Sequence, residues 1–443
     1  MTKNVLVTLL EEKKFKSIHE VLSKYNAVDI ANLLSELDDD KLVLAFRMIE
    51  KQKAAEVFSY MDNDIRQTLI STFSKQEVNN LFDAMFADDA VDFLEDMPAN
   101  VVTQLLENID KETRADINHL LKYSEDSAGS IMTVEFVELA PAMTVREALE
   151  QIRRVGIDSE TVYTCYVVEK HKLMGIITAK DLLLSSDDTI ISELMEEGFI
   201  SLHTGDDREY AAKLFRKYGL IAIPVLDSEG CIVGIITFDD AMDVLMEETT
   251  EDIHKMAAIA SNDESYLKTS VLKHAKSRIV WLLVLMFSAT ITGSVISHYE
   301  QAFAVVPLLV SFIPMLMDTG GNCGSQSSTL IIRGLAVDEL HFSDTLRIIW
   351  KEFRVALVVS VVLAAANGLR IFWQYQNLQL ALVVSISLVA TVIAAKLVGC
   401  MLPVIAEKCH VDPAIMAAPI ITTIVDTFSI VIYFNVATVI FKL

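Results

Sequence analysis

The sequence predicts a multidomain membrane protein, built from an all-α helical-repeat N domain, a duplicated α+β module, a connecting helix and a five-helix α transmembrane domain. Three observations carry that reading: a sharp division of charge, two internal repeats of different period, and apolar segments confined to the second half. The net charge of the 443 residues is −24, yet from Ser277 onward nine acids balance nine bases. The remaining 52 acids and 28 bases, and with them the whole −24, lie in the first 276 residues. An acidic soluble half therefore precedes a neutral apolar half. Acidity of this size excludes a nucleic-acid partner, which needs a basic face, and suits cation binding or plain solubility.

From Asp38 the chain runs in blocks of twelve: DDDKLVLAFRMI, EKQKAAEVFSYM, DNDIRQTLISTF, SKQEVNNLFDAM, FADDAVDFLEDM, PANVVTQLLENI and DKETRADINHLL. Each closes on a large apolar residue (Ile49, Met61, Phe73, Met85, Met97, Ile109, Leu121), and most open on a residue that favours a helix start. Seven short amphipathic helices stacked as a solenoid-like array follow. No catalytic constellation stands among them, and we expect no enzyme.

The second repeat is KLMGIITAKDLL (Lys172–Leu183), which returns as CIVGIITFDDAM (Cys231–Met242) with Gly175 and Gly234 fifty-nine residues apart. Each copy reads as strand, turn and helix, preceded by an extended stretch and an amphipathic helix. This resembles a pair of CBS domains over 132–252. That resemblance implies an adenine nucleotide, ATP, in the cleft between copies, with Asp181 holding the ribose and Tyr163 as a stacking partner. A pair that only transmits position is the other reading.

Five apolar segments are long enough to cross a bilayer: Ile279–Ser297, Ala302 to about Leu335, Val355–Trp373, Leu378–Ala406 and Pro413–Phe441. Lys268, Lys273, Lys276 and Arg278 precede the first. Arg333, Lys351, Arg354 and Lys408 flank the same side, against Arg370 and Lys442 on the other. The positive-inside rule then puts the amino terminus in the cytoplasm and the carboxyl terminus outside. MTKNVLVTLLEEKKFK is too interrupted for a signal peptide. Cys165, Cys231, Cys323, Cys400 and Cys409 lack metal-ligand spacing and read as reduced thiols. Residues 253–276, free of glycine and proline, continue an acidic helical start and predict a stiff connector. The domains are thus 1–131, 132–252, 253–276 and 277–443.

Inside the second span stands PMLMDTGGNCGSQSS (Pro314–Ser328), and the fifth reads PIITTIVDTFSIVIYF with Asp426 deep in it. A carboxylate at bilayer depth costs at least ~2.5 kcal/mol and marks a functional site by default. The bland alternative is a structural pair with Lys396 of the fourth span, which could instead snorkel. Asp318 is the other acid embedded in a span. The Asp426 carboxylate, amide oxygens of Asn322 and Gln326, hydroxyls and carbonyls freed by Gly320, Gly321 and Gly324 are hard ligands suited to Mg2+ and Ca2+ rather than to a soft metal. One carboxylate per chain suits an ion that keeps its waters, and two chains would place two on a shared axis.

TGGNCGSQSSTLIIRGLA and PIITTIVDTFSIVIYF, together with the CBS pair and YSEDSAGSIMT (Tyr123–Thr133), resemble the MgtE magnesium channels over nearly the whole chain. The resemblance implies a homodimer in the plasma membrane with an ion path lined by the second and fifth spans. Asp426 would select hydrated Mg2+, with the Thr422 carbonyl one turn earlier. It also implies closure when Mg2+ binds Glu56, Asp88 and Asp92 of the N domain, Asp207, Glu209, Asp240 and Asp243 of the CBS pair, and Glu248, Glu251 and Asp252 of the connector. Ser325, Ser429, Asp318 and Gly219 depart from that family's frequent residues. An ion-coupled secondary transporter of divalent metals (Mg2+, Mn2+, Co2+) uses the same residue types, and a membrane-tethered nucleotide sensor would explain the CBS pair alone.

Overall fold

The computed structural model describes residues 3–95, 97–107, 109–260, 266–267, 269–299 and 305–442. The chain divides into two compact units, Met1–Leu245 and Met246–Leu443.

In the first unit each twelve-residue block is one helix: Asp39–Phe46, Lys51–Ser59, Asn63–Thr72, Lys75–Phe82, Ala87–Glu95, Ala99–Leu106 and Lys111–Leu120. The block openings are helix caps. Asp38, Glu50, Asp62, Ser74 and Pro98 each occupy an N-cap, and Ser74 completes a capping box with Glu77. Three further helices (Lys3–Glu11, Phe15–Leu22, Ala27–Ser35) precede the block pattern. Helices this short do not hold in water alone, so their stability comes from the shared core. Phe58, Phe82 and Phe93 are fully buried there, with the Phe58 and Phe93 rings 5.1 Å apart, edge to face.

The duplicated module forms two three-stranded sheets of identical plan. In the first, β1 (Glu138–Leu139) pairs parallel with β2 (Thr164–Glu169), which pairs antiparallel with β3 (Lys172–Thr178). In the second, β4 (Leu202–His203), β5 (Ala222–Leu226) and β6 (Ile232–Thr237) repeat that order. Both copies slip register at the same place, after Val167 and Val225. The repeated glycines explain themselves. A Cβ on Gly175 would lie 2.9 Å from the Glu196 carbonyl, and one on Gly234 2.7 Å from that of Thr133. Each is where a separate segment bridges the strand, at Ile176–Glu196 and at Thr133–Ile235.

The helix Phe238–Met256 leaves the second copy and enters the second unit. The expected stiff connector does not extend to residue 276 as one helix. It ends at Met256, Ala258 takes a left-handed φ of 54°, and a new helix starts after the Ser270 cap. Residues 261–265 and Lys268 lie outside the described residues.

The second unit contains the helices Val271–His298, Ile313–Ala336, Thr345–Tyr375, Leu378–Lys408 and Ala418–Phe441. Among the described residues, four helical segments are long and apolar enough to cross a membrane: Val271–His298, Phe342–Tyr375, Leu378–Lys408 and Pro413–Phe441. The polar Ile313–Ala336 helix is not one of them. Its expected start at Ala302 falls outside the described residues, and a 3-10 turn, Pro307–Phe312, leads into it. The third segment starts well before Val355, and so takes in Glu352. All five cysteines are free thiols.

Candidate functional site

The polar stretch does not break its helix. Ile313–Ala336 is continuous α-helix through Gly320, Gly321 and Gly324, so the expectation of carbonyls freed by those glycines is corrected. The glycines serve close packing instead, as small residues four apart do between membrane helices. A Cβ on Gly320 would meet Thr391, Val425 and Ser429 at 2.8–2.9 Å, and one on Gly324 would meet Ile421 at 2.7 Å. A Cβ on Gly399 of the fourth span would collide with the Gly324 carbonyl. Three helices thus close on one glycine face.

The pairing of the Ile313–Ala336 helix with the last helix runs antiparallel. Gly324 faces Ile421, Gly321 faces Thr422, and the Ser328 hydroxyl donates to the Met416 carbonyl at 2.9 Å. Asn322 is exposed beside this contact, while Thr422 and Asp426 are half-buried on the facing helix. Pro419 at the start of that helix accepts from both the Thr422 and Thr423 hydroxyls, each at 3.0 Å.

Lys396 is not the partner of Asp426. Its ammonium donates to Ser327 Oγ at 3.0 Å and lies 3.5 Å from Glu352 Oε2, while Ser327 donates to Glu352 at 2.6 Å. All three side chains are buried. Glu352, outside the expected third span, supplies the countercharge and is a further acid at depth. Among the described residues no ion pair involves Asp426.

In the first unit, five of the predicted acids come together. Asp88 and Asp240 are within mutual electrostatic reach, as are Asp92 and Asp243, and Glu56 and Asp243 both act on Tyr60. Four acids that the sequence reading missed, Asp89, Glu135, Glu160 and Asp239, join them. The Asp88 Oδ1 is shut off from solvent without a hydrogen-bond partner. Burial, then Asp240 and its acidic neighbours, raises Asp88 well above the usual carboxylate range. Burial first and the neighbouring charges second also raise Asp89 to about 7 and Glu160 to about 8. Asp240 rises to about 6, mainly through burial, with its bond from Thr237 opposing the shift. The few cations nearby do not balance this. Arg66 reaches Asp92 at 3.1 Å. Among the described residues, no three His, Cys, Asp or Glu side chains converge into a ready cage.

The other predicted acids are held differently. Asp207 caps the Arg208–Tyr218 helix, accepting from the amides of Glu209 and Tyr210, and Glu209 pairs with Lys213 at 2.9 Å. In the second unit Glu251 pairs with Lys255, whose ammonium also reaches Asp412 at 2.7 Å. Glu248 and Asp252 lie on the same helix. Asp181 accepts from the Thr178 amide and hydroxyl in a capping box. Tyr163 is exposed and its carbonyl accepts from Ala179 at 2.9 Å, so both nucleotide candidates flank the start of the Ala179–Leu184 helix.

Three family models match successive parts of the chain. Residues 313–436 match the family described as "Divalent cation transporter", 25–126 the "MgtE intracellular N domain", and 128–187 and 191–247 the CBS domain. The magnesium transporter MgtE of Thermus thermophilus is 35% identical over 433 residues, 97% of this chain and 96% of that protein. The magnesium transporter MgtE of Bacillus subtilis is 30% identical over 435 residues, 98% of this chain and 96% of that one. Among solved structures, the cytosolic domain of the Mg2+ channel MgtE in complex with ATP aligns with TM-score 0.52 at 32% identity, covering 55% of this chain and 99% of that one. The soluble part of a magnesium transporter aligns with TM-score 0.54 at 28% identity, over 56% and 97%.

Proposed function

The chain belongs to the MgtE family of magnesium transporters, and from that premise we propose that it is a Mg2+ channel for uptake across the plasma membrane. Its domains in this reading are 1–131, 132–252, a connector 253–276 and a transmembrane domain 277–443. The amino terminus is cytoplasmic and the carboxyl terminus outside. Two copies face each other across the path, each contributing Asp426, Thr422 and Asn322.

The observation that carries the proposal is the pairing of a polar helix face with a half-buried carboxylate in an otherwise apolar bundle. Asn322 is exposed, which in hydrocarbon is unfavourable unless water or a second copy covers it. Among the described residues no cation pairs with Asp426, so its charge is available to a passing one. Hydrated Mg2+ fits a sparse set of oxygen ligands, since it gives up its waters reluctantly.

Closure follows from the acid cluster. Two unit charges 4 Å apart repel by roughly 4 kcal/mol at an effective dielectric of 20, and a bridging Mg2+ reverses the sign. Cytosolic Mg2+ at Glu56, Asp88, Asp92, Asp240 and Asp243 would compact the soluble unit, with Glu248, Glu251 and Asp252 carrying the change along the helix Phe238–Met256. Asp207 and Glu209 would add a peripheral site. ATP in the CBS pair, at Tyr163 and Asp181, would modulate this. The ATP complex of the related cytosolic domain supports nucleotide binding by this part of the chain.

The test is Mg2+ uptake by reconstituted full-length protein. Asp426→Asn keeps the shape and removes the charge, and should nearly abolish uptake while the protein stays folded. Wild-type uptake by a folded Asp426→Asn protein would reject the path.

A further inference from the structure

The channel reading leaves two embedded acids unused: Glu352, which Lys396 and Ser327 engage, and Asp318. The latter opens an exposed row on the Ile313–Ala336 helix: Asp318, Asn322, Gln326 and Thr329, at helical spacings of four, four and three. The glycines lie on the opposite, buried side of the same helix. So the row borders the contact with the last helix without being covered by it. Continuing the antiparallel register of Ser328 with Met416, Gly324 with Ile421 and Gly321 with Thr422 sets Asp318 level with Asp426. The two charges are within electrostatic reach of each other.

Among the described residues no ion pair involves Asp318 or Asp426, and the deep ammonium of Lys396 is engaged by Glu352 and Ser327. Two unanswered carboxylates side by side at bilayer depth are each unfavourable alone and more so together. A divalent cation between them removes both penalties at once.

We propose that Asp318 is a second cation-binding carboxylate of the ion path, paired with Asp426, that raises the affinity of this channel for its hydrated divalent ion. The inference rests on the reading that Asp426 lines the path. In a dimer it puts four carboxylates rather than two around the ion. Four remain too sparse, next to amides and hydroxyls, to require full dehydration of Mg2+. Asp318 sets how readily the ion is captured, while Asp426 is required for passage.

The experiment is the concentration dependence of Mg2+ uptake by full-length protein in proteoliposomes, for wild type, Asp318→Asn, Asp318→Glu and Asp426→Asn. Asp318→Asn should raise half-saturating Mg2+ about tenfold, equal to about 1.4 kcal/mol, with the maximal rate kept or increased. Asp318→Glu should restore the wild-type value, because it keeps the charge. An unchanged half-saturation in Asp318→Asn overturns the inference. So does equal weakening by Asn and Glu, which would assign the effect to shape. If Asp426→Asn transports normally, the failure lies in the path itself, whatever Asp318 does.

Discussion

The two halves of the molecule treat buried charge in opposite ways. In the membrane half, Glu352 and Lys396 neutralise each other through Ser327, packed out of contact with lipid. In the soluble half, Asp88, Asp89, Glu160 and Asp240 crowd together with little basic compensation, and burial first, then their mutual repulsion, raises their proton affinities. Among the described residues of the membrane half, the Glu352–Lys396 pair is closed on itself, while Asp318 and Asp426 make no ion pair. The soluble half leaves its charges in conflict. A compensated pair makes a rigid scaffold, whereas an uncompensated crowd makes a region whose conformation depends on which cations are present.

Removing the crowd should have the largest consequence. Replacing Asp240 and Asp243 by Asn, Glu251 by Gln and Asp252 by Asn takes away both the repulsion and the proposed metal ligands. That protein should lose inhibition by millimolar-scale internal Mg2+, and its soluble unit should no longer gain protease resistance when Mg2+ is added. Closure with the wild-type Mg2+ dependence would make the acidic half a solubilising surface.

Breaking the compensated pair probes the other side of the comparison. Lys396→Met leaves Glu352 buried without its countercharge and should cost about 3–5 kcal/mol of stability. Adding Glu352→Gln should recover most of that. Thermal unfolding in detergent reads both, and equal stability of the single and double variants would mean that the pair is not coupled.

Acidity alone should also separate the halves. Asp240, Asp89 and Glu160 have folded values of about 6, 7 and 8, above the ordinary carboxylate range of an unfolded chain. The folded state therefore holds more protons, and its stability falls as pH rises through these values. Without Mg2+, the soluble unit of the full-length protein should lose hydrogen-exchange protection progressively as pH rises from about 4, the unfolded carboxylate range, to about 8. Saturating Mg2+ should flatten that dependence.

The smallest effect is expected at the nucleotide site. Asp181 and Asp240 hold the same place in the two copies, each capped by its own threonine, yet Asp181 is exposed and Asp240 sits in the acid cluster. Asp181→Ala should weaken ATP binding to the full-length protein about tenfold, measured by calorimetry, and leave Mg2+ protection of the soluble unit intact. Unchanged ATP affinity would remove the ribose role.

Much of this was legible in the sequence because it is local. The twelve-residue period, with caps at Asp38, Ser74 and Pro98, marks helix after helix, and GIIT-x-x-D marks the threonine–aspartate contact that opens a helix in each copy. Asp426 stood out because few residues belong less in an apolar helix. The long-range pairings were not legible. Glu352 and Lys396 come from different helices, and Glu135 and Glu160 come from irregular segments with no periodic signal. The glycines were misread for a different reason. Gly320 and Gly324 sit four apart, which is the spacing of close helix packing, but the adjacent asparagine, glutamine and serines suggested open backbone instead.

Single-channel recording from the purified full-length protein in a planar bilayer tests the central claim most directly. The account predicts unitary Mg2+ currents that shut as Mg2+ on the cytosolic side is raised, and that vanish in Asp426→Asn. Mg2+ movement without unitary currents, driven by a proton or sodium gradient, would contradict it and make the protein a carrier.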